Sequence, residues 1–146
     1  MKINVSTALR EFDRSEMRSG ATVQGCFALM TEMLMDLGDE ARKKWAIRLK
    51  EQPVLTLSGA IYTALGTGCD WLTPEEKFKA FQIGAKTPKQ GEVELDAEEI
   101  SLLKKIVGKV FLSPLVVGQT QLLLEGKEVF KTAQVLEADF NAAAKE

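Results

Sequence analysis

Hydrophobic positions recur every three or four residues through most of the chain, the period of an amphipathic helix. Val23, Cys26, Phe27, Met30, Met33, Leu34 and Leu37 form the first stripe. Thr22 can cap this helix, predicted over 22–37, and Gly38 sits where a C-terminal glycine belongs. A more polar helix over 39–51 follows, with Asp39 as its cap. Its apolar positions are Ala41, Trp45 and Leu49, with Ala46 and Ile47 alongside. Pro53 ends it by disfavouring helical geometry at Gln52. Residues 54–65 are apolar, and the spacing 54, 57, 61, 64 is helical, with Pro53 suited to the first position and Gly66 to the stop. Val54-Leu55-Thr56-Leu57 reads equally as a strand, because short apolar runs are not separated by period alone.

Local start signals sharpen the second half. In Leu72-Thr73-Pro74-Glu75-Glu76, Thr73 caps, Pro74 takes the first helical position and Glu76 closes a capping box. That helix carries Phe78, Phe81 and Ala85 on one face and stops before Thr87-Pro88. Gly91 to Leu95 alternates polar and apolar, as a short strand does. Asp96 and Glu99 repeat the capping pattern, and Ile100, Leu103, Ile106, Val107 and Val110 line the next helix. Ser113-Pro114 opens another, which ends at Gly126. Val129, Ala133, Leu136 and Phe140 then follow a narrow seam at spacings of four, three and four.

The first twenty residues carry few order signals. Ile3 and Val5 flank Asn4 as in a brief strand, and the rest reads as an extended arm or a small hairpin. The pattern predicts a mainly α fold: one helical domain over 1–146, with five to seven helices. Its parts are an arm or hairpin over 1–20, a helical core over 21–126 and a C-terminal helix over 127–146. A minor two-stranded β element would pair residues 2–6 with 92–95.

Composition narrows the function classes. The 146 residues contain no histidine, which removes the commonest general base and the commonest zinc ligand. No cofactor or metal is expected. Two cysteines make no disulfide framework, the N-terminus lacks an apolar core of signal-peptide length, and the expected compartment is the cytoplasm. No apolar run approaches the roughly 20 residues needed to cross a bilayer. The net charge of −2 is a sum over two poles. One is basic, at 42–50, and one is acidic, at 92–99.

Each candidate site has a plainer alternative. Gly66, Gly68 and Gly59 lack the Gly-Lys-Ser/Thr of a phosphate-binding loop, and an ordinary interhelical loop accounts for them. Glu92, Glu94 and Glu98, with Asp96 and Glu99, suit a solvated face or an electrostatic docking patch better than a magnesium or acid–base site. Arg42, Lys43, Lys44, Arg48 and Lys50 can contact phosphates, with Trp45 stacking on a base, although an indole on an apolar stripe is more often core. Met30 and Met33 lie on the core-facing stripe of their helix, while Met35 lies off it and points to a partner. Cys69 beside Asp70 has the wrong neighbour for a nucleophile, since a carboxylate raises a thiol pKa. The chain is therefore not expected to be an enzyme.

Four segments together resemble small uncharacterised proteins encoded by tailed bacteriophages and prophages. They are Leu72 to Phe78, Gly91 to Leu95, Glu99 to Lys109 and Ser113 to Gln119. The resemblance spans roughly 55–126, with the N-terminal arm matching loosely. That family has no settled activity, so no catalytic or binding residue is carried over. It implies a phage product acting in the host cytoplasm.

The expected function is that of a non-enzymatic accessory protein that binds itself and a host or phage protein. Met35, Val129, Ala133, Leu136 and Phe140 are its candidate oligomer surface. The alternatives are a nucleic-acid-binding accessory protein using the 42–50 helix, and a small hydrolase or nucleotide-sequestering protein.

Overall fold

The computed structural model describes residues 1–18, 29–31, 33, 38–67 and 69–129. Within them the fold is mainly helical, with a short antiparallel sheet. The helices are α1 (Asp39–Lys50), α2 (Leu57–Gly66), α3 (Pro74–Lys86), α4 (Ala97–Val110) and α5 (Pro114–Leu124). Residues 29–31 and 33, from the helix expected over 22–37, are also helical. β1 (Lys2–Asn4) pairs with β2 (Glu92–Glu94) in the register Lys2↔Glu94, Ile3↔Val93, Asn4↔Glu92. This is the pairing expected between residues 2–6 and 92–95. Ile3 and Val93 point into the core and their neighbours face outward, as the two-residue period of a strand requires.

Both capping boxes form. Thr73 accepts from the Glu76 N–H at 3.2 Å, and the Glu76 carboxylate accepts from the Thr73 N–H at 3.0 Å. Asp96 and Glu99 do the same for α4 at 2.8 and 2.9 Å. Each box satisfies two of the N–H groups that a helix start leaves unpaired.

Two boundaries and one cap differ from expectation. Gly38, at φ 150°, is the N-cap of α1, and Asp39 lies inside the first turn with Glu40, where carboxylates offset the helix dipole. α2 starts at Leu57, where Thr56 accepts from the Gly59 N–H, so Pro53 is not its first residue. Val54 and Thr56 instead bridge to Arg18 and Ala8. α5 begins at Pro114 as expected, but the Ser113 side chain makes no capping bond.

The N-terminal segment folds into a small hairpin, with Arg10 bridged to Glu16. It is laced to the chain before α2. The Leu9 N–H donates to the Leu55 carbonyl at 2.8 Å, Leu55 donates to Met17 at 2.7 Å, and Met17 donates to Leu9 at 2.9 Å. All three side chains are buried in one cluster with Leu57 and Ile61 of α2, Ile83 of α3, Leu103 and Ile106 of α4, and Val116 of α5. α2 and α3 approach closely, because a Cβ on Gly84 would lie only 3.3 Å from Leu65 Cδ1.

Two apolar groups stand outside this core. Met30 and Met33, placed by periodicity on a core-facing stripe, are exposed; the core cluster is filled by other side chains. Phe78 and Phe81 also face outward, because α3 presents Ala80 and Ile83 to the interior instead.

Candidate interaction surface

The outward face of α3 carries two exposed aromatic rings one turn apart. Phe78 is 62% exposed and Phe81 70% exposed, and Gln82 and Ala85 continue the same stripe. Positions three, four and seven apart lie one above another on a helix. Turning the helix to bury the two rings would expose Ala80 and Ile83, which sit in the core. Ion pairs also join it to α4. Lys79 on α3 pairs with Glu98 on α4 at 2.7 Å, Lys86 with Glu99 at 2.6 Å, and Lys105 of α4 with Glu76 at 2.7 Å. The Lys105 ammonium beside Glu76, helped by the Thr73 N–H, holds the Glu76 carboxyl below its usual range.

Beside the stripe runs a groove of about 670 Å3 between α2 and α3. Tyr62, Leu65, Ala80, Phe81, Gly84 and Ala85 give it an apolar lining, and Lys77 and Asp70 add charge. The Tyr62 hydroxyl donates to the Thr87 carbonyl, which fixes the ring. Cys69 also lines the groove as a half-buried free thiol. Burial pushes its pKa up and the Asp70 charge adds to the effect, so it is a poor nucleophile. The N-terminus of α3 offers no open anion site, since Glu75 and Glu76 occupy its first turn.

The basic helix α1 displays Arg42, Lys43, Lys44 and Arg48 to solvent, and Lys50 is its last residue. Trp45 is only 8% exposed, with the Arg48 guanidinium 5.9 Å from its ring centroid. Its face is therefore not open for a base to stack on. Trp71 is contacted instead by α4: Lys109 lies 4.5 Å from its ring and Lys105 5.6 Å.

The acidic group is divided. Glu92 and Glu94 point outward from β2, while Glu98 is drawn into its pair with Lys79. The charges that meet Glu98 and Glu99 come from α3 and not from α1. Val129 is half-buried and lines a second cavity, of about 500 Å3, with Ile3, Arg10 and Gln119. Met35, Ala133, Leu136, Phe140 and Cys26 lie outside the described residues.

Sequence periodicity put Phe78, Phe81 and Ala85 on one face without marking it as the solvent face. The available signal was Ala80 and Gly84 flanking Ile83, small residues that permit close approach on the opposite side. Among the described residues, no group of three or more His, Cys, Asp or Glu is placed to hold a metal ion. No described helix is long and apolar enough to cross a membrane. No family model, curated protein or solved structure matches the chain.

Proposed function

We propose that this chain is a non-enzymatic interaction protein whose contact surface is the outward face of α3. The observation that carries the proposal is the exposure of Phe78 and Phe81 on a helix whose opposite side, Ala80 and Ile83, is buried in the core. Exposed aromatic side chains present large apolar area, and aromatic residues are enriched where interfaces are anchored. The groove beside them gives a partner side chain an apolar place to enter. On the sequence resemblance alone, we read the chain as a phage or prophage product working in the host cytoplasm.

The test uses the full chain and a Phe78→Ser/Phe81→Ser variant with an unchanged circular dichroism spectrum. Each is used to capture proteins from bacterial extract. A protein taken up by the wild type and lost by the variant is then purified and recombined, with amide exchange read across α3. Slowed exchange in residues 74–86 is expected. A partner captured equally by both proteins, slowed exchange confined to other helices, or an empty capture by a chain that is also strictly monomeric would sink the proposal.

The open cations of α1 support a nucleic-acid contact as the second reading. Arg42, Lys43 and Lys44 stand exposed within three residues. Its signature is a salt-dependent shift of DNA or RNA that disappears in Lys43→Glu/Lys44→Glu. No shift at low salt removes it.

A further inference from the structure

Resting on that interaction surface, we infer that its partner is a second copy of this chain, bound antiparallel, α3 against α3. The surface is complementary to itself in that direction. A two-fold axis close to Gln82 makes residue i meet residue j and j meet i, as an isologous contact requires. It sets Phe78 against the partner copy's alanine at position 85, large against small. Phe81 then lies toward the second copy's apolar groove, lined by Tyr62 and Leu65. The same operation places Glu75 near the lysine at 86 of the other copy, whose ammonium also meets Glu99 of its own chain. α3 is acidic in its first turn and basic in its last, so antiparallel pairing matches opposite charges at both ends. A parallel pairing would set Phe78 on Phe78 and like charge on like charge. Glu75 and Lys86 are both exposed.

The contact is small. At 1.5 Å per residue the 13-residue helix is about 20 Å long, which puts the interface at the low end of specific contacts. A weak, concentration-dependent dimer is the expectation, not a permanent one.

Sedimentation equilibrium of the full chain, from about 10 μM to about 1 mM, is expected to show monomer passing to dimer. Phe81→Ser and Ala85→Glu, each with an unchanged circular dichroism spectrum, should each weaken the dimer about tenfold or more, as loss of a central anchor does. Orientation is read by disulfide crosslinking. Gln82→Cys lies at the axis and should crosslink readily. Glu75→Cys lies about 20 Å from its counterpart along the paired helices and should not. The unsubstituted chain controls for its own thiols.

A strict monomer throughout the range overturns the inference. So does a dimer that survives both substitutions, or one in which Glu75→Cys crosslinks as fast as Gln82→Cys. A monomer whose α3 still captures a different protein defeats self-pairing alone. A monomer with no α3-dependent capture defeats the interaction surface as well.

Discussion

The side-chain amide of Gln119 pairs with the backbone of Arg10 through two hydrogen bonds. Its Oε1 accepts from the Arg10 N–H at 2.8 Å, and its Nε2 donates to the Arg10 carbonyl at 2.6 Å. One buried glutamine on α5 thus pairs with the Arg10 backbone as a neighbouring strand would. It joins residues 109 apart in sequence. The hairpin brings Leu9 and Met17 into the core, so this pair helps hold the opening of the chain against the helices.

Gln119→Leu keeps the volume roughly constant but leaves the Arg10 N–H and carbonyl without this partner. The expected loss is about 1–2 kcal/mol, read by urea denaturation. Gln119→Glu is the sharper probe. An ionised carboxylate accepts from the N–H but faces the carbonyl with a second acceptor, whereas a protonated one can donate to it. Folding therefore raises the introduced carboxyl's pKa, and the penalty relative to wild type is full at neutral pH. It should fall as pH drops toward the ordinary carboxyl range. A penalty equal at pH 7 and pH 4 would refute the two-bond account.

Glu125 makes the opposite kind of prediction. It pairs with Lys104 of α4 and lies 2.6 Å from Lys127, and these two ammonium groups lower its pKa from 4.5 to about 2. A carboxyl depressed in the folded state favours folding at pH values above its unfolded pKa. That contribution is lost as pH falls from about 4.5 to about 2. Glu125→Gln should therefore melt below wild type at pH 7, and the gap should close through that acid window. Melting followed by circular dichroism from pH 7 to pH 2 decides it. A constant gap would mean that the ion pairs do not set the acid response.

What could be read from the sequence follows how local each signal is. The boxes at Thr73/Glu76 and Asp96/Glu99 span three residues and fix their helix starts wherever the helices dock. The Ile3–Val93 pairing is remote in sequence, yet both segments alternate about a single apolar residue. By contrast, the Leu9–Met17–Leu55 lacing has no period, because it is built from isolated bridges between short irregular segments. Phe78 and Phe81 show the limit of the helical wheel. It groups residues into stripes, but which stripe turns inward depends on the fit against α2, and there Ala80, Ile83 and Gly84 win over two bulky rings. The Lys79–Glu98 pair needs α3 and α4 already packed, so the acidic run from 92 to 99 looked like one patch when its members face different ways.

Two glycines near the end of the described chain should respond to alanine with opposite signs. Gly118 sits inside α5 with open space where a Cβ would go. Gly118→Ala removes the backbone entropy cost of a mid-helix glycine and should stabilise by about 0.5–1 kcal/mol. Gly126 ends the same helix at φ 71°, donating its N–H to the Leu123 carbonyl at 3.0 Å. A Cβ there meets Met1 Sδ at 3.7 Å, an ordinary contact, so the cost comes from the left-handed backbone and not from crowding. Gly126→Ala should destabilise by about 1–2 kcal/mol. Asparagine tolerates the left-handed region better than alanine, so Gly126→Asn should lose less. Equilibrium denaturation of the three variants gives the order Gly118→Ala, Gly126→Asn, Gly126→Ala from most to least stable. If Gly126→Ala proved as stable as Gly118→Ala, the left-handed turn closing α5 would be wrong.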